Sequence, residues 1–149
     1  MVNVRPITNE DFSFVQKLAA EEKSFTVPSD YILWVLTQRL YPDVCLVAVS
    51  SDGEPIGYLL GLINDLEGVL FIWQVAVTHR GGKENASITL LEEVKRVVKA
   101  RGLKRISFTM QPRVARLWGY RASKQVLGVF PEQGGPGING EPEYFVSVE

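Results

Sequence analysis

The spacing of apolar positions changes several times along the chain, and each change marks an element. Val2 to Ile7 reads as a short first strand. Thr8, with Asp11 three residues on, has the form of a capping box, and Phe12, Val15 and Leu18 then share one helical face through about Lys23. Ser24 to Pro28 breaks that period. Ser29 is placed to cap a second helix over about Asp30 to Leu40, where Tyr31, Trp34, Val35 and Gln38 keep helical spacing, and Pro42 ends it.

The period then becomes that of strands. Val44 to Ser50 is apolar and β-branched, Ser51-Asp52-Gly53-Glu54 is a tight turn, and Pro55 to Ile63 is a second strand. Asn64 to Gly68 connects it to a third, Val69 to Val77, which together predict an antiparallel meander. Beyond a loop ending at Ser87, Ile88, Leu91, Val94, Val97 and Val98 follow a 3.6-residue period, with Arg101 in the last turn and Gly102 just past the end. Arg105 to Met110 is the next strand, parallel to Val69–Val77 because a helix intervenes. Pro112 to Trp118 suits a short helix, Lys124 to Phe130 a strand, Gln133 to Gly140 a mobile loop, and Tyr144 to Val148 a closing strand. The order β-α-α-β-β-β-α-β-α-β-β predicts one α/β domain over residues 1–149, a mixed sheet of about seven strands with helices on both faces.

Composition narrows the functional classes. A net charge of −1 and no basic run argue against nucleic acid as partner. No apolar run approaches the roughly 18 residues of a membrane span, and the first residues, MVNVRPITNED, lack the apolar core of a signal peptide, so a cytoplasmic setting is expected. Cys45 is the sole cysteine, flanked by apolar residues, and suits a core thiol rather than a nucleophile. With one His and one Cys, no metal site of the usual zinc ligands is expected.

The chemistry concentrates between Leu70 and Ser87. A buried-type strand, a loop rich in Gly, Lys, Asn and Ser, and an amphipathic helix follow without a gap, so a helix N-terminus with unpaired N–H groups stands at the mouth of a sheet. Such a place suits a phosphate or pyrophosphate. The element order, with Gln74-Val75-Ala76-Val77 before the loop and Leu90-Leu91 in the helix, resembles the GNAT superfamily of acetyl-CoA-dependent N-acetyltransferases. Phe71 to Val77 is similar in particular to the equivalent strand of the diaminobutyrate acetyltransferases of ectoine synthesis.

The resemblance implies acetyl-CoA as co-substrate, with pantetheine along the strand edge Val75, Ala76 and Val77. It implies a loop of the form Arg or Gln, two residues, Gly, one residue, Gly or Ala, whose N–H groups hold the pyrophosphate. Anchored on Leu90-Leu91, the loop Gly82, Lys83, Glu84, Asn85, Ala86 and Ser87 fits without a gap, with Gly82 at the Arg/Gln place, Asn85 at the first Gly and Ser87 at the Gly/Ala. Asn reaches left-handed conformations next most readily after Gly, Ser can cap a helix, and Lys83 and Arg80 add positive charge.

The family's strand base is often a carboxylate, and this chain has Gln74, suited to position water or the amine, or else a strand amide satisfied by its neighbours. The family's acid is often a Tyr in the helix after the fifth strand. Here Arg116-Leu117-Trp118-Gly119-Tyr120 echoes that pattern, which makes Tyr120 the nearest phenol, as proton donor or as an aromatic plug. His79 suits a capping or surface role, Asp65 and Glu67 are turn residues, and Tyr31, Trp34 and Tyr41 suit either an acceptor pocket or the core. The implied acceptor is a primary amine of a small molecule or peptide, attacked directly in a ternary complex, and the Gln133–Gly140 loop with the last strand suits either a homodimer interface or simple closure of the sheet. Two rivals stand beside this reading: a GNAT-fold binding or regulatory module with a degenerate CoA loop, and an unrelated α/β domain. The last would pair the strands beginning at Val69 and Arg105 along their whole length.

Overall fold

The computed structural model of the chain describes residues 1–22, 25–109, 119–136 and 142–148. In chain order they form β1 (Asn3–Pro6), a 3₁₀ turn (Asn9–Asp11), α1 (Phe12–Glu21), α2 (Asp30–Trp34) continuing as a π-helix (Val35–Leu40), β2 (Cys45–Val49), β3 (Pro55–Asn64) and β4 (Val69–Val77). Then come α3 (His79–Lys83), α4 (Ala86–Arg101), β5 (Arg105–Thr109), α5 (Tyr120–Leu127), β6 (Glu132–Pro136) and β7 (Pro142–Ser147). The seven strands make one mixed sheet in the order β1-β2-β3-β4-β5-β7-β6, in which β4 and β5 are parallel.

The mixed seven-strand sheet with helices holds, and three assignments are corrected. Lys124–Phe130 is not a strand: Lys124–Leu127 belongs to α5, whose Ala122 and Val126 are buried one turn apart, and Gly128 stops it at φ +83°. Gln133–Pro136 is not loop but part of β6, drawn into the sheet by pairing with β7 despite its two glycines. The stretch from Thr78 to Ser87 is not an open loop, since His79–Lys83 is a helical turn and α4 begins at Ala86. The helix expected at Pro112–Trp118 lies outside the described residues.

The chain groups into two compact units, Met1–Leu62 with Gln74–Leu90, and Ile63–Trp73 with Leu91–Glu149. In the first, β1 pairs antiparallel with β2, and β2 with β3. The buried Asp11 carboxylate ties α1 to β1: it accepts from Arg5 Nη1 at 2.7 Å and Nη2 at 3.0 Å, and from the Thr8 N–H at 2.8 Å. Burial alone would raise its pKa, but these hydrogen bonds outweigh burial and hold the carboxyl below its ordinary value. Cys45 is completely buried in β2, its thiol directed at the Gly61 carbonyl at 3.6 Å, and burial pushes its pKa up to about 12.

In the second unit β4 and β5 pair, among the described residues, from Val69↔Arg105 to Ile72↔Phe108. β7 lies antiparallel on the other side of β5, and the Phe108 and Tyr144 rings stack at 5.8 Å. Gly102, at φ +70°, closes α4 as expected, with the Leu103 N–H donating to the Val98 carbonyl at 3.0 Å.

Candidate functional site

Along β4 burial alternates, and Leu70, Ile72, Gln74 and Ala76 form its buried row. Gln74 is the polar member of that row, 3% exposed, and two distant segments satisfy it. The Tyr58 hydroxyl donates to Gln74 Oε1 at 2.9 Å, and Gln74 Nε2 donates to the Thr26 carbonyl at 2.7 Å. Gln74 thereby joins β4 to β3 and to the connection between α1 and α2. Tyr58 is itself fully buried, and burial raises its phenol above the ordinary range. Tyr58 and Thr26 were not among the residues singled out from the sequence, since nothing local marks either as a partner of position 74.

The turn beyond β4 is locked onto β3. Thr78 donates its N–H to the Ile56 carbonyl at 2.9 Å, and its Oγ1 caps α3 by accepting from the Gly81 N–H at 3.0 Å. A side chain at Gly81 would place Cβ 2.1 Å from the same carbonyl, so only glycine fits. Thr78 had a readable signal, a hydroxyl residue directly before a helical turn, which the two glycines obscured. The Gly82 N–H donates to the Thr78 carbonyl at 2.9 Å and the Glu84 N–H to the Arg80 carbonyl at 3.0 Å. Asn85 then takes φ +56°, the one non-glycine in the left-handed region among the described residues. Its carbonyl accepts from the N–H groups of Ile88 at 3.1 Å and Thr89 at 3.3 Å, which starts α4. Lys83 is exposed, Ala86 buried and Ser87 half-buried.

Arg80 does not stand free to add positive charge. Its Nε donates to Glu84 at 2.6 Å, and its Nη1 to Asp52 at 3.0 Å and to Glu54, so three carboxylates surround one guanidinium. Hydrogen bonds from Ser50 and then Arg80 hold Asp52 down at about 2, while those same carboxylates raise Arg80 above its ordinary value. The cluster fastens α3 to the β2–β3 turn.

The other singled-out side chains fall elsewhere. His79 is the exposed first residue of α3, and Asp65 and Glu67 are exposed turn residues. Tyr31 and Trp34 are exposed rather than core and border an open groove of about 730 Å³ with Glu10, Phe12, Gln16 and Asp30. In the second unit, Tyr120 opens α5, half-buried, its ring edge-on to Phe130 at 6.2 Å and to Tyr144 at 6.0 Å.

The sequence model of the acetyltransferase (GNAT) family matches residues 4–119, and the chain belongs to that family. It is thus an N-acetyltransferase by family, and the co-substrate of that family is acetyl-CoA. Among its relatives, the L-2,4-diaminobutyric acid acetyltransferase of Nocardia farcinica is 26% identical over 142 residues, covering 85% of this chain and 72% of the relative. The enzyme of that name from Chromohalobacter salexigens is 25% identical over 117 residues, covering 78% of this chain but 60% of its own length. Among solved structures, Ard1 of Thermoplasma volcanium superposes with a TM-score of 0.79 at 14% identity, covering 99% of this chain and 98% of that one. The diaminobutyrate acetyltransferase EctA of Paenibacillus lautus, solved with L-2,4-diaminobutyric acid and coenzyme A, gives 0.75 at 20% identity, covering 99% and 95%. These likenesses establish the fold.

Proposed function

We propose that this chain, acting as one catalytic domain, transfers the acetyl group of acetyl-CoA to a primary amine of a small molecule or short peptide. The amine attacks in a ternary complex, with no covalent acyl-enzyme. The observation that carries this reading is Asn85: it holds the left-handed conformation that the family's loop assigns to glycine, directly before α4, so the loop keeps its turn although the residue has changed. The residues of the pyrophosphate loop are then Gly82, Lys83, Glu84, Asn85, Ala86 and Ser87, and pantetheine lies along Val75, Ala76 and Val77.

In the reaction the neutral amine nitrogen adds to the thioester carbonyl, and the collapse of the tetrahedral adduct expels the CoA thiolate. The Val75 N–H is placed in this reading to meet the developing oxyanion. An amide cannot accept a proton at neutral pH, so the amine loses its proton to water, and Gln74, held by Tyr58 and Thr26, acts by positioning the strand that carries the Val75 N–H. Tyr120 is assigned as donor to the departing thiolate. The relatives named for L-2,4-diaminobutyric acid make that diamine the first acceptor to try.

A second reading, a binding module without turnover, is favoured by one observation: the strand position where the family often keeps a carboxylate holds Gln74, fully engaged by Tyr58 and Thr26. Calorimetry with acetyl-CoA, followed by mass spectrometry of L-2,4-diaminobutyrate and a panel of primary amines, separates the two. Micromolar binding with an acetylated product is the expected result. Binding without any product, or no binding at millimolar acetyl-CoA, overturns the transferase reading and selects the module.

Arg80 supplies a test of the loop. Arg80→Gln leaves Asp52, Glu54 and Glu84 uncompensated beside it, and the dissociation constant of acetyl-CoA is expected to rise about fivefold. The pair Asp52→Asn with Glu54→Gln is expected to shift it the other way. Titration calorimetry at low and high salt reads both effects, and each should shrink as salt screens the exposed cluster.

A further inference from the structure

The second half of α4, the segment after α5, and β7 enclose a pocket of about 590 Å³ that shares no residue with the cofactor loop. Lys95 and Lys99 line it from α4, Val129 and Phe130 from the segment leading into β6, Glu132 from the start of β6, and Phe145 from β7. Its volume is within the range of about 300–1,000 Å³ usual for small-molecule sites. Polar and apolar groups line the pocket in similar measure, and two of its large apolar side chains are left in water: Val129 is 48% and Phe130 60% exposed.

Cations surround it. Lys95 and Lys99 lie one turn apart on α4 and repel one another. Lys124 Nζ sits 5.5 Å over the Phe130 ring, and the Arg105 guanidinium 4.7 Å over the Phe145 ring. Lys95 donates to the Val126 carbonyl at 2.9 Å and Lys124 to the Gly128 carbonyl at 3.2 Å, which fixes both ammonium groups near the pocket wall. Among the described residues none of these four cations takes part in an ion pair. In a chain of net charge −1 this is a local surplus, opposed among the described lining residues by the single carboxylate of Glu132.

We infer that this pocket binds a small amphipathic carboxylate, an aryl or alkyl group with one negative charge. The apolar part covers Val129, Phe130 and Phe145, and the carboxylate lies against Lys99 and Lys95. Glu132 selects against a second negative charge, which disfavours phosphate esters.

The test uses 4-phenylbutyrate as probe and amide chemical shifts of the ¹⁵N-labelled protein as readout. Saturable shifts are expected at Lys95–Lys99, Val129–Glu132 and Phe145–Val148. Lys99→Glu, an exposed change that leaves the fold intact, should weaken binding about tenfold, and 4-phenylbutan-1-ol, equal in shape but uncharged, should bind at least about tenfold less well than the acid. Val129→Asp should weaken it similarly by adding a charge to the apolar wall, while acetyl-CoA binding stays unchanged in both variants. No shifts in this region at millimolar probe, shifts unaffected by Lys99→Glu, or equal binding of the alcohol each overturn the inference.

Discussion

Gly81→Ala is expected to destabilise the protein by about 3 kcal/mol and lower its melting temperature by about 5–10 °C. The new Cβ would stand 2.1 Å from the Ile56 carbonyl oxygen and 3.1 Å from Val77 Cβ. Both obstacles belong to packed strands and neither is a flexible side-chain tip, so α3 must move away from β3. The carbonyl involved is also the acceptor for Thr78 N–H and Thr78 Oγ1. Displacing α3 therefore breaks the anchor of the whole segment up to Asn85, and acetyl-CoA affinity should fall with it. Gly82→Ala is the internal control. It changes the next residue of the same helical turn, has nothing within 4 Å of its would-be Cβ, and is expected to be neutral or slightly stabilising. Thermal unfolding of the two variants side by side checks the claim, and equal melting temperatures would refute it.

The second large effect is expected at Gln74. Gln74→Leu removes partners from two groups of unequal standing. The Thr26 carbonyl belongs to an exposed residue and can turn to water, while the Tyr58 hydroxyl is fully buried and cannot. An orphaned buried hydroxyl costs about 1–3 kcal/mol. Adding Tyr58→Phe should recover most of that loss, since both partners of the bond are then apolar, and a double-mutant cycle on denaturant unfolding measures the coupling.

Gln74→Glu is expected to add a pH dependence. The protonated acid can still donate to Thr26, whereas the carboxylate faces a carbonyl in a buried site, so the folded pKa rises above the unfolded value of about 4.3. Stability is then near that of the native protein below pH ~4 and is lost as pH rises through the folded pKa. A flat difference between Gln74→Glu and the native protein from pH 4 to 8 would count against the pairing.

Long periodic elements were legible in the sequence because burial imposes their period. β4 begins and ends where the alternation of Val69–Val77 does, and α4 closes at Gly102 as its left-handed carbonyl-capping role requires. Local signals failed where tertiary contacts or a stop residue decided. Val126, Leu127, Val129 and Phe130 form an apolar run that reads as strand, but Gly128 splits it, leaving the first two residues on a helix. Glu132–Pro136 has little intrinsic strand tendency and is a strand because β7 offers it hydrogen bonds. The two glycines of His79–Lys83 suggest coil, and a cap from Thr78 and close packing on Ile56 make a helical turn of it. At the candidate site, counting from Leu90-Leu91 puts the proposed loop at 82–87, and the left-handed Asn85 stands within it directly before α4. The partners of Gln74, 48 and 16 residues away, could not, because nothing local encodes a meeting at that distance.

Cys45 gives the protein a built-in clock. A lone thiol with no exposed surface and a pKa near 12 is unreactive toward alkylating and disulfide reagents while β2 stays in place. The labelling rate therefore reports opening of β2, as its frequency when labelling outpaces reclosing and as the population of the open state when reclosing is faster. Because the chain holds no second sulfhydryl, that opening can be followed on the purified protein with and without ligand, without introducing a probe.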